Sequence, residues 1–113
     1  MKIITKTLSL DELKEMAAAT FGDMVKAVVD IERGIFAVDA ELHSDLEAAL
    51  LQDGSKQRNL WGINLYPETP DEDFIEFDSM INVRPSQGNR SRGVEDEGLR
   101  ARILEIVNQR VPR

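Results

Sequence analysis

Residues 84–93 form the segment of this sequence that is richest in groups able to bind an anion. The segment separates an apolar stretch from a helical one, and it contains arginine, serine, amide and glycine residues but no acid. Guanidinium groups and backbone N–H groups near a helix N-terminus bind phosphate and carboxylate. We therefore predict a site for a small anionic ligand, such as a phosphate ester or a carboxylate. Its candidate ligands are Arg84, Ser86, Asn89, Arg90, Ser91 and Arg92.

The same segment also has a purely structural interpretation. Its arginines would then neutralise Glu95, Asp96 and Glu97 or acids on the sheet, while its serines and Asn89 would stabilise turns. The glycine spacing and the lack of a lysine exclude a Walker phosphate loop. The sequence leaves both interpretations open.

A second group of candidate residues alternates along a predicted strand and its exit. Asp39, Glu41 and His43 are two apart and project from one side, and Asp45 follows. Carboxylates with one histidine bind divalent metals, so a metal-dependent hydrolase is an alternative function. Against it, Lys26 would lie opposite Glu41 across a hairpin, and His43 precedes a helix start where it would bond locally.

Catalysis is left open by the sequence, and no cofactor is predicted. Because the chain has no cysteine, a nucleophile would have to be Ser, Thr, Lys, Tyr or a carboxylate. None of these has an activating partner beside it in a recognisable pattern. His43 is the single histidine and hence the single histidine base.

Size and composition predict one domain spanning residues 1–113. Of the 113 residues, 42% are apolar and 31% are charged, which suffices for one core. The first six residues are too few and too polar for a signal peptide, and no apolar run matches a bilayer. The lack of cysteine excludes disulfides. We therefore expect a cytoplasmic protein.

The charge is distributed unevenly along the chain. Residues 1–83 carry 7 basic and 17 acidic side chains, whereas residues 84–113 carry 7 and 4, and all basic residues of the second part are arginine. The excess of acidic side chains in residues 1–83 repels phosphate backbones. Extended nucleic-acid binding is therefore not expected. A protein-interaction or homo-oligomeric module that uses a sheet edge is a further alternative without catalysis.

The first predicted helix follows Ser9, which forms a capping box with Glu12. It runs to about Phe21, and Gly22 is suited to end it in a left-handed conformation. Its apolar stripe is Leu13, Met16, Ala17 and Phe21.

Two more helices are predicted further along the chain. Ser44 and Glu47 form a second capping box, which opens a short helix that Gly54 closes. The last helix follows the acids at 95–97, which suit a helix N-terminus. Its apolar stripe is Leu99, Ile103, Ile106 and Val107.

A hairpin is predicted from the apolar residues that alternate on both sides of Arg33-Gly34. With those two residues as the loop, every apolar pair falls on one face of the ribbon. The predicted pairs are Ile31 with Phe36, Val29 with Val38, Ala27 with Ala40 and Val25 with Leu42.

A second hairpin is predicted from two further alternating runs. Trp61, Ile63 and Leu65 form the first, and a longer run from Ile75 to Val83 forms the second. Together the elements predict a two-layer α+β fold. It has an antiparallel sheet of about four strands, with three helices packed mainly on one face. Neither the strand order nor the distance between His43 and the segment 84–92 follows from the sequence.

Three segments resemble a known protein family. They are residues 41–45 (ELHSD), 60–67 (LWGINLYP) and 81–91 (INVRPSQGNRS). The family consists of short, single-domain prokaryotic proteins of about 110 residues classed as a domain of unknown function, and the resemblance extends over nearly the whole chain. It implies no activity, cofactor or catalytic residue.

Overall fold

The computed structural model describes residues 1–113, apart from the side chain of Asp71. Across these residues it has three α-helices and one antiparallel sheet of five strands, which confirms the α+β class. The strands are β1 (Lys2–Ile4), β2 (Val25–Asp30), β3 (Ile35–Val38), β4 (Leu60–Leu65) and β5 (Ile75–Glu76), in the order β1-β3-β2-β4-β5. The helices are α1 (Leu10–Ala19), α2 (His43–Gln52) and α3 (Glu97–Arg110).

The sheet has one strand more than the approximate four of the prediction. Residues Lys2–Ile4 pair with β3 and form the outer edge on that side. Across the described chain, no helix combines the length and the apolar character that crossing a membrane would need.

Helix α1 begins where the sequence predicts. The Ser9 side chain accepts a hydrogen bond from the Glu12 N–H at 3.1 Å. Leu8 and Leu13 on either side of this cap are buried in the same core.

The other end of α1 differs from the prediction. The helix ends at Ala19, and the Gly22 N–H donates to the Ala17 carbonyl at 2.6 Å with Gly22 in a left-handed conformation (φ 96°). Phe21 therefore lies beyond the helix and is 43% exposed, instead of extending its buried stripe.

Strands β2 and β3 form the predicted hairpin, with a register shifted by two residues. Val29 pairs with Phe36, because the two-residue loop of the prediction is replaced by a longer one. Asp30 stabilises that loop, since its Oδ1 accepts from the N–H groups of Glu32 at 2.9 Å and Arg33 at 3.0 Å. A shift of two leaves the side chains of both strands on their predicted faces. Strand β3 ends at Val38, however, so the predicted pairs of Ala27 with Ala40 and of Val25 with Leu42 do not form.

The second hairpin is much shorter than predicted. Strand β4 matches its alternating run, but β5 contains two residues and pairs with Asn64 and Leu65 alone. Beyond Glu76 the chain leaves the sheet and forms a 3-10 turn at Met80–Asn82, so the prediction of a strand to Val83 was wrong.

A side chain closes the part of the β4 edge that β5 leaves open. The Asn82 amide accepts from the Gly62 N–H at 2.8 Å and donates to the Gly62 carbonyl at 2.9 Å, which replaces both bonds of a neighbouring strand. Ser79 packs against the same glycine, and a Cβ at position 62 would lie 2.5 Å from the Ser79 Cβ. Ser79 belongs to the alternating run that predicted a strand, but together with Asn82 it covers the β4 edge at Gly62.

The sheet buries side chains on both faces. Helices α1 and α3 cover the face that carries Val29, Phe36 and Trp61. Helix α2 covers the opposite face, where Leu46 and Leu50 pack on the sheet. Two of the three helices therefore lie on one face, and the opposite face is apolar beneath α2.

We predict that Asn82→Ala destabilises the protein by about 2–4 kcal/mol. The Gly62 N–H and carbonyl would lose their partners in a buried setting, and each such loss costs roughly 1–3 kcal/mol. Asn108→Ala is the matched control, because Asn108 is exposed on α3 and its loss should cost less than about 0.5 kcal/mol. Urea denaturation measures both, and equal midpoints for the two variants would contradict the role given to Asn82.

Candidate functional site

Arg84, the first residue of the predicted anion loop, is folded back onto the sheet edge. Its guanidinium lies 4.1 Å from the centre of the Trp61 ring, and it donates to the carbonyls of Gln57 (2.7 Å) and Leu60. Burial lowers the pKa of Arg84 from its ordinary value, and the group stays cationic. Arg84 thus extends the closure of the β4 edge.

Asn89 braces the loop from inside. Its amide donates to the carbonyls of Asn82 at 2.7 Å and Gly93 at 2.8 Å, and its Oδ1 accepts from the Glu95 N–H at 2.9 Å. The side chain is 4% exposed, so these bonds are made in the interior. This geometry matches the structural interpretation of Asn89.

The backbone N–H groups of the loop bind a carboxylate side chain of the protein itself. The N–H groups of Arg90 and Ser91 donate to one Glu95 carboxylate oxygen at 2.7 and 2.8 Å. These bonds lower the pKa of Glu95 from its ordinary value of 4.5. The predicted neutralisation of Glu95 therefore comes from backbone groups, while the Arg90 and Ser86 side chains are exposed.

Arg92 points away from the other predicted ligands. Its Nε donates to the Asp78 carboxylate at 2.6 Å, and this contact raises the pKa of Arg92 above its ordinary value. Arg92 also lines a groove that contains His43. The structure thus divides the predicted set and brings Arg92 alone to the histidine.

This groove, which we call the His43 groove, has a volume of about 170 Å³. It lies between strand β2, the start of α2, the turn at Met80–Asn82 and the end of the loop at residues 84–93, which we call the arginine loop. The residues that line it are Lys26, Leu42, His43, Ser44, Ser79, Met80, Ile81 and Arg92.

Helix α2 begins earlier than the second capping box predicts. Its first residue is His43, and the residue before it, Leu42, makes no side-chain hydrogen bond to the helix end. The Ser44 hydroxyl therefore does not cap the helix but lies in its first turn, beside the groove. The first N–H groups of a helix have no partner within it and favour a negative charge.

Packing of His43 explains the early start. The ring is 7% exposed, and its Nε2 lies 2.8 Å from the Ile63 carbonyl of β4. Because a carbonyl accepts, Nε2 carries the proton, and the neutral ring keeps Nδ1 unprotonated. Burial lowers the pKa of His43 below its ordinary value of 6.5, and the Lys26 charge adds to this, whereas the hydrogen bond to Ile63 opposes it in part.

Comparison with known proteins places the chain by sequence. A family model described as protein of unknown function DUF5674 matches residues 2–110. The chain belongs to this family. The predicted resemblance to a domain of unknown function is thereby confirmed. Neither the curated proteins nor the solved structures gave a match.

In this DUF5674 member the four predicted metal ligands do not converge. Asp39 adopts a left-handed backbone (φ 74°) and its carboxylate lies 3.9 Å from the N-terminal amine. Glu41 is exposed, and His43 is turned towards the Ile63 carbonyl. Among the side chains the structure describes, no three His, Asp or Glu residues are grouped to hold a metal ion.

Sequence reasoning missed a polar row beside the groove. Lys26 and Asn64 are direct partners on β2 and β4, and the Asn64 amide donates to the Glu76 carboxylate at 2.9 Å. The Tyr66 hydroxyl donates to the same oxygen at 3.0 Å. Burial and this bond raise the pKa of Tyr66 from its ordinary value of 10.0, so the phenol remains a neutral donor. Polar residues inside otherwise apolar strands were the available signal.

We predict that acidification destabilises the protein through His43. The pKa is lower in the folded state than in the unfolded one, so below about pH 6.5 the unfolded state binds more protons. Stability is therefore fully present above that pH and falls as the pH decreases towards the folded-state pKa. His43→Gln keeps a donor for the Ile63 carbonyl but cannot titrate. Its unfolding free energy, measured from pH 8 to 5, should decrease less than that of the parent, and parallel curves would contradict this account.

Proposed function

We propose that this protein binds a small anion, such as a phosphate ester or a carboxylate, in the His43 groove. The observation that supports this is the charge of the groove lining. Lys26 and Arg92 line it, and none of the described residues of the lining is acidic, on a chain of net charge -7. We place this function in the cytoplasm, as the composition predicts.

Comparison with other pockets on the described surface supports the same choice. Three further pockets each contain a carboxylate, from Glu68, Glu41 or Glu72, and in the two that Arg113 also lines the carboxylate offsets its charge. A carboxylate at the wall repels an anion at close range, whereas two cations attract it most strongly at low salt. The His43 groove is therefore the better electrostatic match for an anion.

The volume limits the size of the bound group. The groove has about 170 Å³, less than the roughly 300–1,000 Å³ of pockets that enclose drug-sized ligands. A phosphate or carboxylate group fits this scale, and a whole dinucleotide does not. The Ser44 hydroxyl and the start of α2 add donors to the two cations.

Arg92 is oriented for this role by Asp78. The carboxylate takes the Nε of Arg92, which leaves the terminal nitrogens of the guanidinium to bind an incoming anion. Asp78 does not itself line the groove. An anion can thus bind without displacing the ion pair, and the pair reduces the side-chain freedom lost on binding.

The groove geometry supports binding and gives no sign of nucleophilic catalysis. Ser44 and Ser79 lie in the lining beside His43. In the described part of the chain, however, the hydrogen bond of the histidine goes to Ile63 and not to a hydroxyl. A serine nucleophile needs a base within hydrogen-bond reach.

We predict that Arg92→Ala weakens phosphate binding about tenfold or more and that Arg90→Ala leaves it within about twofold. A hydrogen bond to a charged group contributes roughly 1.5–3 kcal/mol, and Arg90 is exposed on the same loop but does not line the groove. Titration calorimetry with inorganic phosphate at low ionic strength measures the affinities. Lys26→Met should weaken binding as Arg92→Ala does.

Two results would contradict the proposal. An equal loss of phosphate affinity in Arg90→Ala and Arg92→Ala would place the anion on the exposed part of the arginine loop. A parent protein that releases no heat and shows no thermal shift with millimolar phosphate would have no anion site of this kind.

A further inference from the structure

Two apolar side chains that the sequence pattern assigns to the core are on the surface. Phe21 is expected in the stripe of the first helix and is 43% exposed, and Leu42 is expected to pair with Val25 and is 55% exposed. Both line one pocket of about 310 Å³ between the end of α1 and the start of α2. Core packing therefore does not account for either side chain.

This second pocket adjoins the His43 groove. Leu42 lines both. Lys26 lines the groove, and its ammonium lies 5.4 Å from the centre of the Phe21 ring, which lines the second pocket. A cation and an apolar surface are thus placed side by side, with one residue forming the wall between them.

The second pocket favours an uncharged occupant. Glu41 lines it together with Phe21, Leu42 and Ala19. The Thr20 hydroxyl in the same wall already donates to the Met16 carbonyl at 2.8 Å. A second negative group would meet the Glu41 carboxylate, whereas an alkyl group would bury apolar surface of Phe21 and Leu42.

Resting on the proposed function, we propose that the ligand is a single-chain amphiphile: an anionic head in the His43 groove and a short uncharged apolar tail against Phe21 and Leu42. The ligand acts as a free molecule and not as part of a bilayer. A chain with 21 acidic and 14 basic residues is repelled by an anionic membrane surface.

The test compares inorganic phosphate with methyl, butyl and hexyl phosphate by titration calorimetry. Affinity should increase with tail length by up to about fourfold per buried methylene, which corresponds to ~0.8 kcal/mol. Phe21→Ser should abolish most of this increase and leave inorganic phosphate within about twofold. Leu51→Ser is the matched control, since Leu51 is 40% exposed but lies outside both pockets. It should retain the whole series.

The outcomes separate this inference from the proposed function. If phosphate binds but affinity does not depend on tail length, the amphiphile proposal is overturned and the proposed anion site is not. Failure of every compound, phosphate included, overturns both. A tail effect that survives Phe21→Ser places the tail elsewhere and overturns the assignment of the pocket.

Two further measurements examine other occupants. Sedimentation with vesicles that contain anionic lipid should leave the protein in the supernatant. Co-sedimentation would overturn the proposal that the ligand acts as a free molecule. Light scattering should give the same mass for the parent and Phe21→Ser. If the parent is a dimer and Phe21→Ser dissociates it, a second copy of the chain occupies the pocket at Phe21 and Leu42, and the proposal is overturned.

Discussion

The pairing of the Asn82 side chain with the Gly62 backbone determines the second half of this structure. Strand β5 covers two residues of β4, so the remaining edge has N–H and carbonyl groups that need partners. One amide side chain provides both, at 2.8 and 2.9 Å. The absence of a Cβ at Gly62 is required, because Ser79 occupies that space. Because the β4 edge is closed in this way, it needs no further strand. The chain that follows is therefore free to form the arginine loop.

The course of that loop decides where its arginines go. Arg84 continues the closure over Trp61, Asn89 fills the loop interior, and Arg92 emerges next to His43. The same loop satisfies its backbone donors with Glu95. A segment that resembles an anion site in composition is thus mostly internal structure, and its cationic contribution to the surface groove comes from a single residue. The groove is completed by Lys26 and by a helix start without a side-chain cap.

Local patterns predicted the elements that depend on neighbouring residues. The Ser9 cap, the β2–β3 hairpin and the face of each of its residues follow from capping and alternation. The register was missed by two residues because the Asp30 side chain stabilises a longer loop. The second strand of the second hairpin was wrongly predicted to reach Val83, because Ser79 and Ile81 continue the alternating run and the Gly62 that Ser79 and Asn82 contact is distant in sequence. The meeting of His43 with Arg92 is likewise a product of the fold, since neither residue carries a local signal for the other.

The proposed function requires that an anion binds between Lys26, His43 and Arg92 and not on the exposed part of the arginine loop. A ¹H–¹⁵N NMR titration of the parent protein with inorganic phosphate tests this most directly. We expect saturable shifts of the backbone amides of His43, Ser44 and Arg92, with those of Arg90 and Ser91 unchanged because Glu95 holds them. Shifts confined to residues 84–91, or none in the groove at saturating phosphate, would contradict it.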